Sequence, residues 1–198
     1  MALALASALA LIIALTLGWN SPRPTTPPDW QAPNLPLVLE ILPDESVVTL
    51  LNHLSSDFTL EVNASTPSDP VSDFDGYGLV YRAQDSANCY IFAIGSDGYY
   101  AVLRVAEGAE TLLVDWQQFP HVRRGGQTNR LRVACTGSTC RFYINDEYAA
   151  TVEDDTWLVG DVGLWGSGLG GKGVTVQFVD ARAWETVEEE ITHSRSDK

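Results

Sequence analysis

The chain has 198 residues, enough for one domain of ordinary size with terminal extensions, and a hydrophobic content of 45% supports a buried core. Its 26 Asp+Glu outweigh 12 Lys+Arg, for a formal net charge of -14, and the one local basic cluster is Arg123-Arg124 beside His121. That balance argues against nucleic acid and anionic lipid headgroups as partners, because holding phosphates takes a concentrated basic patch.

Met1 to Trp19 carries no charge and is mostly Ala, Leu and Ile. Eighteen helical residues span roughly 27 Å, the short end of a bilayer crossing. Residues 1–19 are therefore expected to form a hydrophobic helix. It serves either as a signal peptide, cleaved near Thr16 and Gly18, or as an uncleaved membrane anchor with Trp19 at the interface. Residues 20–36 hold most of the chain's prolines, which lack an N–H donor, so this segment is expected to stay out of any ladder and act as an extended linker.

The folded domain is expected over residues 37–185. Leu37 to Leu42 reads as a strand, and Val47 to Leu54 as a strand or a short helix. Phe58, Leu60 and Val62 alternate with Thr59, Glu61 and Asn63, the pattern of a strand with one buried face. From Gly76 to Val105, β-branched and aromatic runs are cut by turns at 84–88 and 95–98, which predicts a three-stranded meander. Tyr77, Leu79 and Tyr81 share one face of its first strand. Tyr90, Phe92 and Ile94 alternate with Ile91 and Ala93, so the second strand is apolar on both faces and calls for a covering sheet. Further strands follow at Glu110 to Trp116, Arg130 to Cys135 (read as half-exposed), Cys140 to Asn145, Tyr148 to Val152, Gly160 to Trp165 and Val174 to Ala181. The glycine-rich stretch 166–173 leads into a strand, not a helix, so it reads as a hairpin connection and not a phosphate loop. Residues 186–198 form a charged tail. The pattern predicts an all-β, two-sheet antiparallel sandwich.

The succession Gly76-Tyr77-Gly78-Leu79-Val80-Tyr81-Arg82, the Asp-Asn turn, Gly95-Ser96-Asp97-Gly98-Tyr99-Tyr100, then Asn129-Arg130-Leu131-Arg132-Val133 and Phe142-Tyr143-Ile144-Asn145 resembles the jelly-roll domains of the concanavalin A-like lectin/glucanase superfamily. In particular it resembles bacterial extracytoplasmic members related to laminin-G-like and keto-disaccharide hydrolase domains, over roughly Phe58 to Trp184. The resemblance implies a jelly roll outside the cytoplasm. It leaves the activity open among lectins, adhesive modules and glycosidases.

Cys135 and Cys140 flank a four-residue turn, which places them opposite each other in a hairpin and predicts a disulfide and an oxidising compartment. Cys89 is left as a small buried thiol. Glycoside hydrolysis needs two carboxylates flanking the bond. The Glu-x-Asp-x-x-Glu strand of laminarinase-type relatives is absent, and Asp73, Asp75, Asp154 and Asp155 read as solvated loop and turn residues. Asp69, Asp73 and Asp75 supply oxygen donors for a calcium ion in one loop, without the spacing of a full binding loop. No other cofactor is expected. Sugars stack their C–H faces on aromatic rings, so Tyr99, Tyr100, Trp116, Trp157 and Trp165, all near strand ends or loops, are the candidate ligand-binding residues. The expected function is non-catalytic binding of carbohydrate or a protein partner. A membrane-anchored accessory subunit and a glycoside-modifying enzyme are the alternatives.

Overall fold

The computed structural model describes residues 23–67, 75–168 and 173–186. The 1–19 run, Asp69, Asp73, residues 169–172 and the tail beyond 186 lie outside them. Thirteen strands appear and no helix among the described residues. In chain order they are β1 (Trp30–Gln31), β2 (Leu37–Ile41), β3 (Ser46–Ser55), β4 (Phe58–Ser65), β5 (Asp75–Asp85), β6 (Asn88–Gly95), β7 (Tyr99–Ala106), β8 (Ala109–Gln118), β9 (Asn129–Thr136), β10 (Thr139–Ile144), β11 (Glu147–Glu153), β12 (Gly160–Gly168) and β13 (Val174–Glu185).

Two antiparallel sheets result. Sheet A runs β1-β13-β4-β9-β10-β11, with β2 also on β13, and sheet B runs β3-β12-β5-β6-β7-β8. The expected meander is β5-β6-β7, extended by β8. Its inner face, carrying Tyr77, Leu79, Tyr81, Phe92, Ile94 and Val102, packs on Leu60, Val62, Val133, Phe142 and Phe178 of sheet A in one core. Period-two alternation over strands apolar on their inner side is what closes the sandwich.

One open reading is decided and two local expectations are corrected. Val47 to Leu54, undecided from its pattern, is a strand because it finds a partner in β12, with Trp165 opposite Val48. The proline-rich segment does enter a ladder. Trp30 and Gln31 pair with Ala183 and Arg182, flanked by Asp29 N–H to Ala183 O and Ala32 N–H to Ala181 O, each 2.9 Å. These four residues are not prolines, so their donors are intact, and β13 offers them an otherwise open edge. Neither β4 nor β9 has a plain solvent face. Glu61 and Arg132, cross-strand partners on the outer side of sheet A, are both buried, and Arg132 lies 4.1 Å from the centre of the Tyr143 ring.

Cys135 and Cys140 are cross-strand neighbours and form the expected disulfide, with a Cα–Cα distance of 4.1 Å. Near this end of the sandwich, Arg82 is almost wholly buried at φ 50°. Its guanidinium donates to the carbonyl oxygens of Ser56 at 3.0 Å, Gly137 at 2.7 Å and Trp157 at 3.4 Å, tying three turns to β5. Burial lowers its pKa, and Asp57 at 3.8 Å works against that shift.

Candidate functional site

Register places the five candidate aromatics in different settings. On β7, alternation sends Tyr100 inward and Tyr99 outward. Tyr100 is buried, its hydroxyl donating to Ala149 O at 2.8 Å and its ring edge-on to Phe119 and Phe92. It belongs to the core, contrary to its candidacy as an exposed platform. Trp157 is half-buried, edge-on to Tyr90, and its backbone N–H donates to the Tyr90 hydroxyl.

The other three share the outer face of sheet B. Gln117 pairs with inward Tyr100, so Trp116 turns outward, beside the bulge where the ladder steps from Tyr100 to Val102. Tyr99 is 38% exposed, Trp116 37% and Leu112 46%, and they form an apolar rim on β7 and β8. Tyr99 N–H is held by Asp97 Oδ1, and Trp116 N–H by Asp115 Oδ1 at 2.8 Å, so acid groups stand beside both rings. Gly98, at φ 95°, ends the β6–β7 turn, and the Arg124 guanidinium packs where its side chain would lie.

Across the sheet the register runs from Trp165 through Gly78 and Ala93 to Ala101, and then to the β8 bulge. Four strand spacings make this row about 19 Å long. Small residues here leave room for a flat indole. An added Cβ on Gly76 would come within 2.9 Å of the Trp165 ring, and Trp165 Nε1 donates to Ser46 Oγ at 2.8 Å. Trp165 with Val80, Ile91, Ala93, Ala101, Leu103 and Val105 makes a second apolar cluster, separate from the inter-sheet core. Against it lies a cavity of about 420 Å³, lined by Val47, Val48, Ile91, Val105 and Trp165, with Ser46, Ser86 and Glu110 as its polar groups. Aromatic and aliphatic walls with a few convergent polar groups are the ordinary make-up of a small-ligand site. Cys89, on the same face, has its thiol pushed up to about 12 by burial and then by the charge of Asp85.

The acid groups are engaged otherwise than expected. Asp75 begins β5 instead of lying in the loop, and its buried carboxylate meets no hydrogen-bond partner. Among the described residues no group of three or more His, Cys, Asp or Glu converges on a metal position. Asp154 is not simply solvated. It accepts from the Tyr90 hydroxyl at 2.5 Å and from Arg104 at 2.8 Å. Its desolvation is outweighed by hydrogen bonds from Tyr90 and Thr156 and by the Arg104 charge, so its pKa falls below the usual carboxylate value. The Tyr90–Asp154–Arg104 cluster could not be seen in the sequence, because it joins residues 50 to 64 positions apart with no common motif.

These features define an all-β jelly roll with an aromatic-rimmed outer face on one sheet. No protein-family model matches the chain, and no curated protein matches it. Among solved structures, carbohydrate-binding module CBM66 from Bacillus subtilis is similar at a TM-score of 0.60 and 19% identity, over 72% of this chain and 83% of that one. A putative glycosyl hydrolase from Parabacteroides distasonis is similar at 0.52 and 18%, over 75% and 87%. The GH43 protein BlXynB from Bacillus licheniformis reaches 0.55 and 15%, over 76% of this chain but only 33% of its own length. At these identities the likeness is one of fold, and it is the fold implied by the resemblance.

Proposed function

We propose that the chain is a non-catalytic, extracytoplasmic carbohydrate-binding module, carried on or released from a membrane through residues 1–19, with its ligand on the outer face of sheet B. The observation that carries this reading is the pairing of exposed Tyr99 and Trp116 on the face that also holds the Trp165 cavity. Aromatic faces offer stacking area for sugar C–H groups, and Asp97, Asp115 and Gln118 beside them supply acceptors and donors for hydroxyls. Two features speak for binding without turnover: Asp154 is held by Tyr90 and Arg104, and Asp75 is fully buried. The fold shared with CBM66 supports the same ligand class.

A glycan array followed by calorimetry on the best ligand tests this reading. Binding that is weakened at least five-fold by Trp116→Ala, with no reducing ends released on prolonged incubation, is the expected result. Steady product release would make the chain an enzyme instead. The apolar cluster around Leu103 and Trp165 favours one alternative, a protein partner seated on the same face. An empty array, together with a Trp116-dependent protein complex, would select it.

A further inference from the structure

The segment ahead of β1 is strapped onto sheet A. Arg23 donates from Nε to Glu61 Oε2 at 3.0 Å and from Nη2 to Glu61 Oε1 at 2.5 Å, and Glu61 lies on the outer side of sheet A, between inward Leu60 and Val62. Farther along, Trp184 Nε1 donates to Thr26 O at 2.9 Å, and Asp29 and Ala32 donate to β13. The chain from Arg23 to Ala32 is thus held at several points to β4 and β13.

This strap limits how far the apolar run can stand from the domain. Only residues 20–22 separate Trp19 from Arg23, and four Cα steps reach at most about 14 Å. The two sheets are about 10 Å apart, and the aromatic rim lies beyond the far one. We propose that the Arg23–Glu61 pair orients the anchored protein, with the outer face of sheet A towards the bilayer and the Tyr99–Trp116 face away from it. The proposal rests on residues 1–19 acting as an anchor.

On the outer side of sheet A the arginines are met by the protein's own groups: Arg23 by Glu61, Arg130 by Glu61 and Asp146, Arg182 by Asp180, and buried Arg132 by the Tyr143 ring. At the β7–β8 rim Asp97 and Asp115 stand beside the exposed rings.

The test uses the full chain in phosphatidylcholine vesicles containing a nitroxide-headgroup lipid. A fluorophore is attached through Thr151→Cys, exposed on the outer side of sheet A, or through Leu112→Cys on sheet B; Cys89 is buried and the other cysteines are bonded. The label at 151 is expected to be quenched several-fold more than the label at 112, and Arg23→Ala is expected to erase most of the difference. Equal quenching at both positions, or an undiminished bias in Arg23→Ala, overturns the orientation while vesicle binding persists. Protein that stays in the aqueous phase overturns the anchor itself, and the orientation with it.

Discussion

The outer faces of the two sheets are built on opposite principles. Sheet A buries charge: Glu61 is closed over by Arg23, with Arg130 at 3.9 Å and Arg132 in the next strand over Tyr143, and Asp180 binds Asn63 and Arg182. On sheet B, no ion pair lies on the second apolar cluster among the described residues. It has small residues under Trp165, a cavity beside it and exposed rings at the β7–β8 rim. A buried ion pair is poor evidence for stability but specifies geometry, because one placement satisfies both partners. An aromatic rim offers area with few geometric demands, as a surface kept for a ligand does. The difference is in keeping with the proposal: one face holds the chain's own N-terminal strap, and the other is left for a ligand.

The largest effect should come from the anchor of the sheet B face. Trp165→Ala removes a buried indole from its seat over Gly76 and is expected to cost about 3–5 kcal/mol, read as the shift of the denaturation midpoint. A loss under about 1 kcal/mol would mean that the second cluster is not a packed unit. Glu61→Gln keeps the shape and removes the charge. Arg23 is 40% exposed and water screens part of the pair, so the expected loss is only about 1–2 kcal/mol. The same change should open the Thr25–Thr26 stretch to a broad-specificity protease, at an unchanged rate elsewhere.

Alkali should act on sheet B. Burial pushes the Tyr77 hydroxyl up to about 12, against the hydrogen bond from Asn129, and the Cys89 thiol also to about 12. Both groups are neutral in their ordinary state and raised in the folded one. Their contribution is therefore complete below the unfolded values and is lost as pH climbs from the ordinary thiol range towards 12. Stability measured from neutral pH to pH 11 should fall smoothly, and Cys89→Ser should flatten the part of the decline that begins near pH 9. An identical decline in that variant would remove Cys89 from the account.

Much of the sandwich was legible in the sequence because its signals are local. The β5-β6-β7 meander follows from alternation and turn residues, and the Cys135–Cys140 pair from a short hairpin. What escaped depends on partners distant in the chain. Val47 to Leu54 is a strand only because β12 accepts it, and Trp30 enters a ladder because β13 has an open edge. Glu61 looks like a solvent-facing residue until Arg23, 38 positions earlier, covers it. Among the candidate aromatics, Tyr99 and Tyr100 were grouped together although the strand period turns them to opposite faces, and nothing local showed that Trp165 would pack against Gly76.

The central proposal is that the β7–β8 rim binds sugar. The most direct measurement is titration of the full chain and of Tyr99→Ala and Trp116→Ala with the best ligand from the array, beside their denaturation midpoints. Each ring is nearly two-thirds buried, so truncation should cost about 1–2 kcal/mol of stability and leave the domain folded. Affinity should fall by roughly 1–2 kcal/mol for each, about 5- to 30-fold. Unchanged affinity in both variants, with the fold intact, would contradict the account and place the ligand elsewhere on the molecule.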